Sequence, residues 1–170
     1  MVENELVKWL KECQKAFPEI KSIEIKCFYR KIPKNCLGRV KGEIEIKKDI
    51  DAEALLLEGK VKKKIIRKKP KRYEIEINEN LKRIKEKTIR KQIVQHVIIH
   101  ELLHILNEDI LSLSKDYKKR KRKKIHVKDF EKEVFQRYNE VRKINGLPPI
   151  SKQEDLDLAI NKILKKYHII

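Results

Sequence analysis

The chain has 170 residues, of which 40% are hydrophobic and 41% are charged, and its formal net charge is +18. This length is enough for one domain with a hydrophobic core, and no apolar run reaches the roughly 18 residues that a membrane span needs. The amino-terminal segment lacks the apolar stretch of a signal peptide, and three cysteines without CxxC spacing are typical of a reducing cytoplasm, not of a disulfide framework or a cysteine zinc site.

The first half of the chain predicts one helix followed by several strands. Leu6, Trp9, Leu10 and Cys13 recur at helical spacing, which predicts an amphipathic helix over residues 3–16 that ends before Pro18. Apolar and charged residues then alternate, as they do in strands that have one buried face and one solvent-exposed face. We predict strands at 22–29, 39–49, 61–67 and 72–78, and a short helix at 51–58.

The second half predicts three helices. The pattern is helical from Leu81 to Leu113, with Thr88 as a possible N-cap. Asp129 is positioned to cap a helix over residues 130–145, and Ser151 to start a last helix that ends near residue 167. We therefore predict an α+β fold in which the strands form one mixed sheet and the helices pack on one side. We expect one domain over residues 1–170, with 147–170 as a C-terminal helical extension, and a monomer.

The central helix carries the pattern HExxH, as His100-Glu101-Leu102-Leu103-His104. Residues four apart in a helix differ by about 40° around the axis, so both imidazoles can reach one metal ion. Glu101 is turned by about 100° from His100 and can reach a water on that ion as a general base. Apolar residues surround the motif, and polar groups in such a helix are expensive to bury unless they are paired or bound to metal. The pattern predicts a catalytic Zn²⁺ site.

A catalytic zinc site needs a third protein ligand. The candidates that follow the motif are Glu108, His126, Glu131 and Glu133. Glu108 is set aside because each turn of a helix rises about 5.4 Å, so three consecutive turns cannot surround one ion. His126 and the two later glutamates remain open on this reasoning.

The HExxH segment, a linker and then His126-x-x-x-Phe130 leading into a helix together resemble the SprT-like zinc metallopeptidases, which include Spartan. The resemblance implies a zincin-like fold, with His100, His104 and His126 as zinc ligands and Glu101 as the catalytic base. It also implies a protease that acts on proteins bound or crosslinked to DNA. A compact gluzincin-type protease, with Glu131 or Glu133 as the third ligand, is the nearest alternative.

Two segments carry most of the positive charge. Residues Lys60–Arg72 contribute +9 and residues Lys115–Lys124 contribute +7, which together make 16 of the 18 net charges. Such local patches favour a polyanionic partner, and we expect Lys60–Arg72 and Lys118–Lys124 to bind DNA or another nucleic acid. The resemblance to zincin-like peptidases also implies a strand at the cleft edge that pairs with an extended substrate, and we expect this strand to be Tyr73–Asn78, next to the first patch.

Two functions of another kind remain possible. One is a non-catalytic nucleic-acid-binding protein whose zinc site is structural. The other is a metal-dependent ribonuclease, which uses a third histidine a few residues after the second; here that region reads ILNEDI, which argues against it.

Overall fold

The computed structural model describes residues 4–42, 72–107 and 129–170 with their side chains, and the backbone of residues 45–50 and 63–68. Four α-helices and five strands lie in these ranges. The helices are α1 (Glu5–Gln14), α2 (Lys87–Leu106), α3 (Phe130–Ile144) and α4 (Gln153–Lys166). The strands are β1 (Glu24–Arg30), β2 (Gly38–Gly42), β3 (Glu45–Ile50), β4 (Lys63–Lys68) and β5 (Arg72–Asn78), with short 3₁₀ helices at Pro18–Ile20 and Glu79–Arg83. The predicted α+β class is confirmed.

The strands form two sheets, where the sequence predicted one. β5 lies between β1 and β2, parallel to β1 and antiparallel to β2, while β3 and β4 form a separate antiparallel pair. The alternating segment 39–49 is therefore two strands, in different sheets, and not one. Alternation alone cannot show this division, because it records which face of a strand is buried and not which strand it pairs with.

β5 is a central strand, so the prediction that Tyr73–Asn78 lines the cleft edge is wrong. Both of its backbone edges are engaged: Ile75, for example, is opposite Cys27 of β1 on one side and Val40 of β2 on the other. The burial pattern agrees, since Tyr73, Ile75 and Ile77 are buried toward the core. A strand with both edges paired cannot add an extended peptide.

Helix α2 is buried around most of its circumference, as the apolar residues around its motif predict. Its buried residues include Val94, Ile98, Leu102 and Leu103, and it packs against α1, α3, β2 and β5. The helix begins at Lys87 with Glu86 at the N-cap position, so Thr88 lies inside the helix and is not its cap. Helices α1 and α2 both contact the three-stranded sheet.

The other predicted helices are confirmed with shifted ends. α1 begins after Asn4, whose side chain accepts a hydrogen bond from the backbone N–H of Leu6. Asp129 occupies the N-cap position of α3, although its side chain makes no capping hydrogen bond. α4 begins at Gln153, two residues after Ser151. The predicted helix at 51–58 lies outside the described residues.

Asn78 fixes the connection that precedes β2. Its side-chain amide donates to the backbone carbonyl groups of Pro33 and Cys36, and its backbone N–H donates to Leu37. Asn78 is fully buried, so these bonds satisfy a side chain that would otherwise be expensive to bury. These bonds hold the segment of residues 33–37, which leads directly into β2.

Candidate metal centre

His100 and His104 face each other on α2, as their spacing predicts. Their Nε2 atoms lie 3.2 Å apart, and their ring centroids are separated by 4.9 Å. Two nitrogen ligands at about 2.0–2.1 Å from a tetrahedral ion lie about 3.3 Å from each other. The two nitrogens are thus spaced as two corners of a zinc tetrahedron, and this part of the site fits the metal.

Phe130, the first residue of α3, packs against both histidines. Its ring is stacked on His104 at a centroid distance of 4.6 Å and meets His100 edge-on at 5.0 Å. Phe130 is buried and His104 is nearly so, which shields one side of the pair from water. The start of α3 therefore lies directly at the histidine pair.

Glu101 is buried between α2 and strand β2. It is 6% exposed, and its carboxylate accepts a hydrogen bond from the backbone N–H of Val40. Burial raises the pKa of Glu101 to about 7, against the lowering effect of that hydrogen bond. The carboxylate is thus held in position by a strand, and it belongs to the residue that follows His100 in the helix.

The close approach of β2 to α2 depends on Gly38. A Cβ atom at Gly38 would overlap Cγ1 of Val97 and lie 3.3 Å from Oε1 of Glu101. Val97 is buried and β-branched, so its side chain has little freedom to move away in a helix. The absence of a side chain at Gly38 allows the strand to contact the glutamate. Nothing in the spacing of the HExxH motif pointed to this glycine or to Val40.

Cys36 adds a thiol near this end of β2. Its Sγ donates to the backbone carbonyl of Gly38 at 2.8 Å. Burial raises the pKa of Cys36, and the negative charge of Glu101 raises it further. At neutral pH this cysteine is a neutral hydrogen-bond donor that helps to hold the turn into β2.

The two glutamates that competed for the third ligand position have different surroundings. Oε1 of Glu131 lies 4.0 Å from Nδ1 of His100, which is the ring nitrogen away from His104. Glu133 points to Arg137, with 3.6 Å between Oε1 and Nη2. Within the described ranges, no three His, Cys, Asp or Glu side chains are grouped closely enough to hold a metal ion. His126 and Glu108 lie outside those ranges.

His96 continues the histidine row one turn before the pair but belongs to the packing of the helices. Its ring meets Tyr138 edge-on at a centroid distance of 5.5 Å. Burial lowers its pKa, opposed by the negative charge of Asp157. The side chain is thus explained by its contact with Tyr138 of α3 and by burial.

Of the two basic segments, only Arg72 lies in the described ranges with its side chain, and Lys118–Lys124 lies wholly outside them. Among the residues that the structure describes, no helix has the length and apolar character needed to cross a bilayer. The chain matches no protein-family model, no curated protein and no solved structure. Its function is therefore inferred from its own residues.

Proposed function

We propose that this protein is a zinc-dependent endopeptidase of the SprT-like kind, with a zincin-like core. The observation that carries the proposal is the 3.2 Å separation of the two Nε2 atoms of His100 and His104. The residue after His100, Glu101, supplies a buried carboxylate that the backbone of Val40 holds. Two imidazoles on one face of a helix, with a carboxylate on the neighbouring residue, are an arrangement that supports metal-assisted hydrolysis.

His126 is the proposed third ligand. It precedes Phe130 by four residues, and an extended segment of that length spans at most about 14 Å. Because Phe130 contacts both histidines, a linker of this length is compatible with His126 as a ligand beside the pair. Glu131 instead approaches Nδ1 of His100, and this is where a carboxylate orients a metal-binding imidazole.

A zinc ion bound by these residues would polarise the substrate carbonyl and acidify the attacking water. Glu101 accepts a proton from that water and then donates it to the leaving nitrogen. The hydrogen bond from Val40 holds the Glu101 carboxylate in place during both transfers. Phe130 covers one side of the histidine pair and limits the access of bulk water.

We propose that β2, and not Tyr73–Asn78, is the strand that pairs with the substrate. β2 is an edge strand of the three-stranded sheet, and the backbone N–H of Val40 is directed to Glu101. An extended peptide beside β2 would lie along the same strand that holds the general base, and main-chain hydrogen bonds would position it.

Cleavage of a denatured protein by the zinc-loaded enzyme tests the proposal. Glu101→Gln is expected to retain zinc and to lower the cleavage rate by about 10²–10⁴-fold, because a general base is removed. Glu154→Gln, an exposed position on α4, is the matched control and should cleave at the wild-type rate. Unchanged cleavage by the Glu101 variant would end the peptidase proposal.

We infer that nucleic acid is the partner that brings protein substrates to this enzyme. Two segments carry 16 of the 18 net positive charges, and a concentrated positive charge binds phosphates without sequence preference. The same observation favours the second candidate, a non-catalytic nucleic-acid-binding protein with a structural zinc site. Binding of single-stranded DNA that weakens with salt, with no peptide cleavage in the presence of zinc, would select the second candidate.

A further inference from the structure

Glu76 of β5 is a fully buried carboxylate on the sheet face that points away from α2. On the opposite face, its strand neighbours Ile75 and Ile77 are buried in the core. The register places Glu76 opposite Phe28 of β1 and Arg39 of β2, so these side chains share its face. We call this the outer face of the three-stranded sheet.

Three cations converge on Glu76 from the two neighbouring strands. Nη1 of Arg30 and Nζ of Lys41 each lie 2.8 Å from Oε1, and Nε of Arg39 donates to Oε2. Burial raises the pKa of Glu76, but hydrogen bonds from Lys41 and Arg39 lower it more, so its pKa lies below the ordinary value. The carboxylate is therefore ionised at neutral pH and holds the three cations together.

The three cations remain partly exposed and keep hydrogen-bond donors that Glu76 does not use. The side chains of Arg30, Arg39 and Lys41 are 53%, 41% and 47% exposed, whereas that of Glu76 is 0% exposed. Arg39 uses its Nε for Glu76 and Arg30 uses one Nη, which leaves further guanidinium N–H groups directed to solvent. The register also places Lys26 and Glu74 on this face, so four positive charges stand against two negative charges and leave a local excess of two.

Phe28 places an aromatic ring beside this cluster. It is half-buried, and unlike its neighbours Cys27 and Tyr29 it is not packed into the hydrophobic core. Aromatic side chains next to a basic surface are the means by which proteins bind single-stranded nucleic acid, since each base has a face that can stack.

We propose that the outer face of the sheet binds single-stranded nucleic acid, with Arg30, Arg39 and Lys41 contacting phosphates. Phe28 stacks on a base, and Glu76 fixes the three cations before the ligand arrives. Because α2 packs on the other face of the same sheet, nucleic acid and the histidine pair lie on opposite sides of one rigid layer. The inference rests on the nucleic-acid partner proposed above and is independent of peptidase activity.

The test is the fluorescence anisotropy of a labelled oligothymidylate, titrated with full-length protein at several salt concentrations. The variant R30Q/R39Q/K41Q is expected to bind at least 10-fold more weakly at about 0.1 M salt, and its log–log salt slope should fall by about 2, since each phosphate contact to a single strand contributes about 0.7. The control K162Q/K165Q/K166Q removes the same charge from exposed positions on α4 and should change affinity by less than about 3-fold.

Phe28→Ala tests the stacking contact separately. It should weaken binding by about 5- to 100-fold while leaving the salt slope unchanged, because stacking releases no counterions. If R30Q/R39Q/K41Q does not fold, adding Glu76→Gln removes the unpaired buried carboxylate, and the fourfold variant is titrated in its place.

Three results with the variants would overturn the inference. The first is an equal loss of affinity in the triple variant and its α4 control, and the second is no loss of affinity in either. The third is a triple variant that loses binding to anionic phospholipid vesicles but not to the oligothymidylate. If the wild-type protein did not bind the oligonucleotide, both the proposed binding surface and the proposed nucleic-acid partner would be wrong. That result would leave the peptidase proposal standing, since that proposal is judged by the Glu101→Gln variant.

Discussion

Oε1 of Glu131 lies 4.0 Å from Nδ1 of His100, while Nε2 of the same ring faces Nε2 of His104 at 3.2 Å. The two nitrogens of one imidazole are thus directed to different partners. A carboxylate that accepts a hydrogen bond from the second nitrogen fixes the tautomer and the orientation of a metal-binding histidine, and the 4.0 Å separation here is an ion-pair distance that is longer than such a bond. We therefore propose that Glu131 orients His100 and is not itself a zinc ligand.

Glu131→Gln is therefore expected to weaken zinc binding by about 10- to 100-fold without abolishing it. Competition with a chromophoric chelator at neutral pH measures the affinity. Glu133→Gln is the control, since Glu133 is on the same helix but pairs with Arg137, and its affinity should match the wild type. Complete loss of zinc from the Glu131 variant would make that residue the ligand, and an unchanged affinity would remove it from the site.

His126→Ala should lose stoichiometric zinc, because two histidines alone do not hold the metal firmly. Zinc content after gel filtration, measured by atomic absorption, gives the answer directly. His168→Asn serves as the matched control: His168 is exposed and has a φ of 52°, a conformation that asparagine tolerates. Full zinc occupancy in the His126 variant would move the third ligand to another residue.

Gly38→Ala is expected to lower both stability and activity. The new Cβ would overlap Val97, and overpacking of this kind costs about 1–3 kcal/mol. Since β2 also holds Glu101 through Val40, displacement of the strand should slow cleavage in the fraction that remains folded.

Gly146→Ala provides the comparison for that measurement. Gly146 has a φ of 72°, and a methyl group added there would meet nothing within 4 Å, so alanine strains the backbone without a clash and far from the histidine pair. It should lower stability by about 1 kcal/mol and leave the cleavage rate of the folded enzyme unchanged. If Gly38→Ala and Gly146→Ala lost the same amount of activity, the position of β2 would have no specific effect on catalysis by Glu101.

Glu76→Gln should destabilise the protein at neutral pH by about 1–2 kcal/mol, because three cations lose their shared partner. The folded-state pKa of Glu76 lies below its ordinary value, so its contribution is present above the unfolded-state pKa and is lost as the pH falls through the folded-state pKa. Thermal unfolding of the wild type and of the Glu76→Gln variant, followed by circular dichroism, gives the difference between their Tm values. This difference should be smaller at about pH 3 than at pH 7. A difference independent of pH would show that the charge of Glu76 is not what stabilises the cluster.

Local patterns in the chain were enough to predict the four helices that the structure describes and the pairing of His100 with His104. Helical spacing depends on 3.6 residues per turn, so a contact between positions four apart follows from the sequence alone. The same periodicity predicts that Glu101 lies next to the pair, and the apolar residues around the motif predict that α2 is buried. These features are properties of one segment and need no knowledge of the rest of the chain.

Contacts between distant segments were decided only by the tertiary structure. The alternation in 39–49 does not reveal that β2 and β3 belong to different sheets, and the pattern of 72–78 does not show that β5 is central. The roles of Gly38 and Val40 at Glu101, and of Arg30, Arg39 and Lys41 around Glu76, join residues more than thirty positions apart. Such pairings depend on strand order and register, which are set by the free energy of the whole packed core and not by the periodicity of any single segment.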